Sequence, residues 1–243
     1  MTIIATPLGL ALKGIYFLVH NYGLSIIIFT VIVKLVMYPL YKKQILSTAG
    51  MADITPKMKE IQTRYANNRE LMNQKMEQLY KESGVKPMAG CLPMLIQMII
   101  IMGVFALVRN PINYISSETM IFASHESFLW INDLAQPDPW ILPILAGVAT
   151  FASTYMSQRN GMMPGQATQT GAMNFIMKYG FPIMILFLAK TYPAGLALYW
   201  FIGQVIQVFY NLRFAQLREK MRLEKIEAQR KKRKPVRAGQ GVR

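Results

Sequence analysis

Five apolar runs, separated by polar segments, dominate the pattern of the chain. They cover residues 23–40, 91–108, 139–155, 174–189 and 194–212. A helix rises about 1.5 Å per residue, so each run is at or just under the length that crosses a hydrocarbon core about 30 Å thick. Backbone polar groups must be paired within the protein in such a core, and helices achieve this. The pattern therefore predicts five transmembrane helices.

An earlier apolar segment, 8–20, is shorter and contains Lys13. Asn21, Tyr22 and Gly23 follow it directly, and this link is too short for a return across the membrane. The segment is therefore predicted to be an amphipathic helix that lies on the membrane surface. A sixth transmembrane helix is the alternative, because apolar segments of about 10–14 residues occur in both settings.

The charges on the connecting segments predict the orientation. Segment 42–86 contains nine Lys or Arg and five Asp or Glu, and the tail from Arg213 contains twelve and three. Segment 110–138 contains four acidic residues and no Lys or Arg. Because basic loops stay on the cytoplasmic side, the N-terminus is predicted outside and the tail inside. Five spans satisfy this alternation.

These rules divide the chain into an interfacial helix, five spans, a hairpin, two loops and a tail. The extracytoplasmic parts are 1–22 and 110–138, the cytoplasmic parts are 42–90, 158–173 and 213–243, and the spans are 23–41, 91–109, 139–157, 174–190 and 194–212. The tail is predicted to be helical in its first half. From Lys231 a block of like charges with few apolar residues predicts disorder.

The cytoplasmic segment 42–90 has its own helical pattern. Apolar residues recur every three or four positions on both sides of the turn signal Asn67-Asn68, and Gly84 and Pro87 end the second stretch. The pattern predicts a helical hairpin whose methionine-rich stripe recruits varied partners, with ordinary core packing as the alternative role. The stripe consists of Met51, Ile54, Met58, Ile61, Tyr65, Met72, Met76 and Leu79.

Lys34 is the only charged residue well inside the first run. A lysine near the centre of a transmembrane helix costs about 2.5–3.5 kcal/mol on insertion scales, so it usually faces a polar cavity. No apolar run contains Asp or Glu, which leaves Lys34 without a counter-ion from the runs. The alternative is that its long stem extends to the headgroups at the inner end of the span.

Polar residues on other runs favour the cavity. In the fifth run four of them recur at offsets of 0, 4, 7 and 11, which is one helical face. Each could instead hold helices together, but with a basic residue they predict a hydrophilic groove for substrate. The predicted groove residues are Lys34, Thr30, Gln97, Thr150, Thr154, Ser157, Trp200, Gln204, Gln207 and Asn211. The predicted fold is thus an all-α integral membrane protein with five transmembrane helices around this groove.

The composition argues against several kinds of functional site. The single cysteine, Cys91, permits neither an internal disulfide nor a thiolate metal cluster. His20 and His125 lack the spacing of metal ligands, and no catalytic motif or phosphate-binding glycine loop occurs. No enzyme activity, cofactor or metal ion is therefore expected, and no cleaved signal peptide is predicted at the N-terminus. The net charge of +15 favours anionic lipids or RNA as partners of the tail.

Four ordered motifs resemble the YidC/Oxa/Alb family of membrane protein insertases, over about residues 8 to 213. The motifs are Asn21 to Thr30 with Lys34 and Tyr38-Pro39-Leu40; Leu79 to Glu82 and Gly90 to Pro93 with Gln97; Phe128 to Ile131 with Pro137-Asp138-Pro139; and Pro193 to Trp200.

The resemblance implies an insertase and chaperone that moves nascent proteins from the cytoplasm into a bacterial cell membrane without ATP. It also implies a groove open to cytoplasm and lipid, in which Lys34 stands where the family usually has arginine. Lysine keeps the charge but loses the bidentate fork for carboxylates. The implied partners are nascent membrane proteins, the Sec translocon, and the ribosome through the tail from Arg213 to Arg243. The chain resembles the short type of Gram-positive-like bacteria. A small anion transporter or channel is the alternative function.

Overall fold

The structure, a computed structural model, describes residues 2–84, 92–109, 118–160 and 171–233. Side chains are described in these ranges except at 2–4, 44–53, 92–94, 108–109, 225 and 228–233. The regular secondary structure of the described residues is helical, apart from one isolated β-bridge. Its helices are α1 (Thr2–Val19), α2 (Tyr22–Arg64), α3 (Arg69–Ser83), α4 (Leu92–Arg109), α5 (Glu118–Ala123), α6 (Ile141–Arg159), α7 (Gly171–Phe175), α8 (Phe181–Thr191) and α9 (Ala194–Arg233).

The five predicted spans lie in α2, α4, α6, α7 with α8, and α9. Helix α6 packs between α8 and α9, α2 packs against α9, and α1 packs against α2 and α4. The common core includes Tyr22 and Phe29 of α2, Leu107 of α4, Leu142 of α6 and Leu198 of α9. The all-helical fold predicted from the sequence is therefore confirmed.

Two helices are much longer than a bilayer is thick. Helix α2 has 43 residues and α9 has 40, which corresponds to about 60 Å each. The predicted boundary between span and hairpin at residues 41 and 42 is therefore not a break, because one helix passes through it. Helix α9 likewise continues to Arg233, so it includes the first residues of the predicted disordered end, and the rest of that end lies outside the described residues. Lysine and arginine are good helix formers, and an existing helix extends through them at little cost.

The fourth predicted span is not one regular helix. A π-helical turn, Ile176–Gly180, separates α7 from α8. Such turns are rare and mostly occur as single insertions within α-helices. Hydropathy patterns do not distinguish a π-turn from an α-turn, so the sequence pattern did not predict it.

The hairpin forms between the second half of α2 and α3. Asn68 caps α3 by accepting a hydrogen bond from the Leu71 amide at 3.0 Å, and Gly84 ends it in the left-handed region at φ 63°. Ile54, Met58 and Leu79 form the buried core of the hairpin. The predicted turn at Asn67-Asn68 thus lies where the chain reverses.

An acidic cap covers one end of the bundle, made of α5 and the chain to Trp140. Its acids and carbonyls bind the free amides at the starts of three helices. Glu126 accepts from the Tyr22 amide of α2 at 2.7 Å, Asp138 accepts from the Leu142 amide of α6 at 2.7 Å, and the Leu134 carbonyl accepts from the Gly195 amide of α9 at 2.9 Å. Negative charge is favourable at helix N-termini. The cap therefore fixes α2, α6 and α9 side by side.

Glu126 also holds α1 to the cap. Its other carboxylate oxygen accepts a hydrogen bond from the Tyr16 hydroxyl at 2.5 Å. Gly23 lies directly beneath the Phe128 side chain, and a Cβ at residue 23 would overlap the ring and come within 2.8 Å of the Phe128 Cβ. The start of α2 is thus closed over by the cap.

The outer surface of the bundle is apolar. Leu35 and Val36 of α2, Val148 of α6 and Phe187 of α8 are each more than half exposed. Soluble monomers rarely expose so continuous an apolar surface, whereas a helix bundle in lipid does. Among the described residues, Tyr22–Lys43 and Gly171–Thr191 are long and apolar enough to cross a membrane, and Ala5–Val19 and Leu95–Leu107 are shorter apolar helices.

Candidate functional site

The Lys34 ammonium lies inside the bundle, at the interface of α2 and α9. Only 6% of the residue is exposed. A Cβ added at Gly203 of α9 would lie 3.4 Å from Lys34 Cε and 3.9 Å from its Nζ, so the stem runs along the α9 backbone. Among the described residues no carboxylate forms an ion pair with Lys34. A side chain that extended to the outer surface would be exposed, and Lys34 is enclosed instead.

Tyr41 and Gln97 complete the surroundings of the ammonium. The Lys34 Nζ lies 5.4 Å from the centroid of the Tyr41 ring, within the range of a cation–π contact. The Tyr41 hydroxyl donates to Gln97 Oε1 of α4 at 2.6 Å. The Tyr210 hydroxyl of α9 donates to the Lys34 carbonyl at 3.0 Å. Three helices therefore meet around one cation.

A second polar group forms a seam between α6 and α9. Trp200 Nε1 donates to Thr150 Oγ1 at 2.9 Å, and Ser153 Oγ donates to Gln204 Oε1 at 2.5 Å. Asn211 Nδ2 donates to the Ser153 carbonyl at 2.9 Å, deep in the bundle. These bonds link two helices along several turns, which is the packing role that polar side chains often have in membranes.

The predicted groove residues therefore divide into groups. Lys34 and Gln97 both contact Tyr41, while Thr150, Trp200, Gln204 and Asn211 belong to the seam. Gln207 Nε2 donates to Asn211 Oδ1 at 3.4 Å. The hydroxyls of Thr30 and Thr154 donate to carbonyls of their own helices, and Ser157 is half-buried.

Several residues of the site were not among the predicted groove residues. Tyr41 and Gly203 surround Lys34, and Ser153 is the centre of the seam. Tyr41 stands at the end of an apolar run, where an aromatic residue is common at the membrane interface, so its position alone does not mark it. A further lysine, Lys178, lies within the fourth predicted span, with its Nζ 4.8 Å from the centroid of the Tyr155 ring. Its position inside that span was a signal that could have been used.

An apolar crevice opens between α4, α8 and α9. Its volume is about 750 Å³. Phe105 of α4 meets the ring of Tyr192 edge-on at 5.0 Å at one end. Leu188 of α8 and Trp200 of α9 also line it, so the indole contacts both the crevice and the polar seam. The crevice has the size of a ligand pocket and is walled mainly by hydrocarbon.

The apolar stripe of the hairpin lies mostly between its two helices. Ile54, Met58 and Leu79 are buried there. Ile61 and Met76 pack against them, and Tyr65 and Met72 are half-buried. The Met51 side chain lies outside the described residues. The stripe thus holds the two helices of the hairpin together. Recruitment of partner proteins by the same side chains stays a prediction.

The outer face of α3 carries solvated charges. The Lys81 ammonium, 2.7 Å from Glu77, hydrogen-bonds that carboxylate and holds its pKa below the usual range. Partial burial raises the pKa of the nearby Tyr80 hydroxyl. The Glu77 and Lys81 side chains are exposed at the surface of the hairpin, whereas Tyr80 is partly buried.

The chain matches the model of the 60Kd inner membrane protein family over residues 14–221. It belongs to this family. Membership of the 60Kd inner membrane protein family makes the chain a bacterial cell-membrane protein, in agreement with the apolar surface of the bundle. The resemblance found in the four motifs is thereby confirmed.

Named relatives of this family member are insertases. Membrane protein insertase YidC 2 of Listeria innocua is 40% identical over 197 residues, 79% of this chain and 63% of that protein. Membrane protein insertase YidC of Oceanobacillus iheyensis is 40% identical over 198 residues, 79% of this chain and 74% of that protein. A crystal structure of an active YidC insertase, 29% identical, superposes with a TM-score of 0.59 over 85% of this chain and 45% of its own.

Loss of the Asn211 amide is expected to weaken the seam. In Asn211→Ala the buried Ser153 carbonyl loses its side-chain donor, and we expect a loss of about 0.6 kcal/mol, the average measured for polar contacts between membrane helices, and at most about 1.7 kcal/mol. Thermal unfolding in detergent measures it. Gln207→Ala is the matched control, because its bond to Asn211 is longer, at 3.4 Å. Equal unfolding temperatures for both variants and the parent would contradict the packing role.

Proposed function

We propose that the chain is a membrane protein insertase that moves nascent proteins from the cytoplasm into the bilayer without ATP. The observation that carries the proposal is Lys34, a cation enclosed within the bundle with no carboxylate partner among the described residues. An unpaired cation at this depth attracts acidic groups of a second molecule. The insertase names of the relatives support the same function.

The proposed topology places the acidic cap outside and the hairpin in the cytoplasm. Helices α2, α6 and α9 begin at the cap, and the chain returns to it at the end of α8, where Lys190 Nζ lies 3.4 Å from the Trp140 ring. Five helices then cross the bilayer in alternating directions. The basic end of α9 emerges on the hairpin side, as the distribution of positive charge requires.

The proposed mechanism has two parts, one polar and one apolar. The acidic segment of the substrate meets Lys34 from the cytoplasmic side, so that its charge is compensated while it is dehydrated. The apolar segment enters the crevice beside Phe105 and passes into lipid, where burial contributes about 25 cal/mol per Å². A membrane potential that is positive outside adds about 2.3 kcal/mol per acidic charge per 100 mV.

Insertion by the purified chain in liposomes tests the function. A single-span protein with an acidic exported tail is expected to insert, as detected by protease protection, while flux of small anions stays at the level of empty liposomes. A photoreactive residue in place of Phe105 should crosslink to the apolar segment of the substrate. The same residue in place of Val148, which is exposed on another face, is the matched control. Anion flux without insertion would favour a transporter instead.

The basic end of the chain is proposed to bind the ribosome and anionic lipids. Deleting residues 230–243 removes seven of the twelve Lys and Arg that follow residue 212, and we expect weaker co-sedimentation with ribosomes, with the difference shrinking as salt rises. If the deletion variant and the parent co-sedimented equally at low salt, the basic residues of the tail would serve only to orient the chain in the membrane. A contact with the Sec translocon stays a prediction from the family resemblance.

A further inference from the structure

Lysines in the apolar helices share one kind of partner. Each of four lysines lies over an aromatic ring, and none of them forms an ion pair with a carboxylate of the described residues. The pairs are Lys13 with Phe17 at 5.8 Å, Lys34 with Tyr41 at 5.4 Å, Lys178 with Tyr155 at 4.8 Å and Tyr179 at 5.0 Å, and Lys190 with Trp140 at 3.4 Å. Aromatic ring faces thus lie beside these lysines, at positions where a soluble protein would usually place a carboxylate.

The pair of Lys34 and Tyr41 differs from the others in its burial. Both residues are buried, whereas Lys13, Lys178 and Lys190 are each partly exposed. Tyr41 lies seven residues after Lys34, on the same face of α2. The ammonium is therefore enclosed together with this ring, beside Gly203 of α9.

The Tyr41 ring is itself fixed from three sides. Its hydroxyl donates to Gln97 Oε1 at 2.6 Å, which ties it to α4. Met37 and Phe214 pack against it in a separate buried cluster, and the Tyr210 ring lies 6.1 Å away. A ring held in this way presents one constant face to the cation.

Gly203 gives the ammonium its place beside the ring. A Cβ there would already be in van der Waals contact with Lys34 Cε at 3.4 Å. A larger side chain would press the stem away from α9. The glycine thus lets the lysine stem lie flat along the neighbouring helix, with its head toward Tyr41.

We propose that Tyr41 is a positioning residue that holds Lys34 inside the bundle between substrates. Its ring face, oriented by Gln97, compensates the ammonium until a substrate carboxylate replaces the ring. A ring attracts a cation more weakly than a carboxylate does, so the exchange favours the arriving acid. This inference rests on the proposed function of Lys34 and goes beyond it, because it assigns the partner of Lys34 in the empty state.

The test compares insertion of two substrates that differ only in the charge of the exported tail. The measured quantity is the acid preference, defined as insertion of the acidic-tailed protein divided by insertion of the neutral-tailed one. Tyr41→Leu is expected to lower the acid preference about threefold to tenfold, because loss of one cation–π contact lets the ammonium leave the enclosed position in which it meets the acidic tail. Tyr41→Phe keeps the ring but frees it from Gln97, and it should retain at least half of the preference.

A double-mutant cycle separates positioning from general packing. In a Lys34→Met background, Tyr41→Leu should leave the acid preference unchanged, because the cation is gone. Tyr38→Leu is the matched control, since the Tyr38 ring stacks on Phe214 at 5.6 Å and lies on the same helix. It should keep the acid preference of the parent. Unfolding temperatures identify a variant that fails to fold, and Tyr41→Phe then carries the comparison.

The outcomes separate this inference from the proposed function. If Lys34→Met keeps the acid preference, the proposal that the Lys34 charge attracts acidic tails is refuted. If Lys34→Met loses the preference while Tyr41→Leu keeps it, the cation acts without its ring and only the positioning role is overturned. An equal effect of Tyr41→Leu on the acid preference with and without Lys34 would also overturn only the positioning role of Tyr41.

Discussion

Reversing the charge at residue 34 is expected to reduce insertion of acidic-tailed proteins at least tenfold. In Lys34→Glu a carboxylate enters the enclosed site at the interface of α2 and α9, where only 6% of the native residue is exposed. Like charges at short range in a medium of low dielectric repel by several kcal/mol, and each 1.4 kcal/mol is a factor of about ten. Lys34→Ala should show a smaller loss, and Lys34→Arg should retain activity. Protease protection in proteoliposomes measures insertion.

The control for this prediction uses a second lysine within an apolar helix. Lys178 also lies over aromatic rings, but it is half-exposed on the outer side of the bundle rather than enclosed. Lys178→Glu should therefore leave the dependence on tail charge unchanged. Equal insertion of the acidic-tailed protein by Lys34→Glu and by the parent would remove the charge from the mechanism.

Gly23 is expected to tolerate a side chain poorly. A Cβ at this residue would overlap the Phe128 ring and lie 2.8 Å from the Phe128 Cβ, so the cap must move away from α2. The cost of such overpacking is about 1–3 kcal/mol. We expect Gly23→Ala to lower the unfolding temperature in detergent and Gly23→Val to lower it further. Protease cleavage within the cap should become faster in both variants.

Gly14 supplies the matched comparison. It lies within α1, and a Cβ there would have no atom within 4 Å. Gly14→Ala should be neutral or stabilising, because alanine favours a helix by about 1 kcal/mol over glycine. If Gly23→Ala were as stable as Gly14→Ala, the contact between the cap and α2 would not be tight.

The acidic cap illustrates how far charge patterns lead. Its four acids and lack of Lys or Arg predicted a location on the extracytoplasmic side. The structure gives two of these acids a second role, because Glu126 and Asp138 accept from amides in the first turns of α2 and α6. Which acid reaches which helix start depends on how residues more than 100 positions apart come together, as for Glu126 and Tyr22. Local patterns hold no information on that pairing.

The predicted groove residues show the same limit. Lys34 was conspicuous in the sequence because an unpaired charge in an apolar run is costly. Its partner Tyr41 was not, because a tyrosine at the end of such a run is ordinary. The stripe from Trp200 to Asn211 predicted a polar face on α9, but only packing decides that this face meets Thr150 and Ser153 of α6. Hydrogen-bonding capacity can be predicted from residue type, whereas the choice of partner cannot.

By itself the sequence determined the helical bundle, its apolar surface, the hairpin turn and the family. These features follow from hydropathy, helical periodicity and motif order, which are local properties of the chain. The tertiary structure decided that α2 and α9 run on without a break, that a π-turn interrupts the fourth span, and that Lys34 lies against Tyr41 and Gly203. These features depend on contacts between distant residues, and such contacts form only when several helices pack at once.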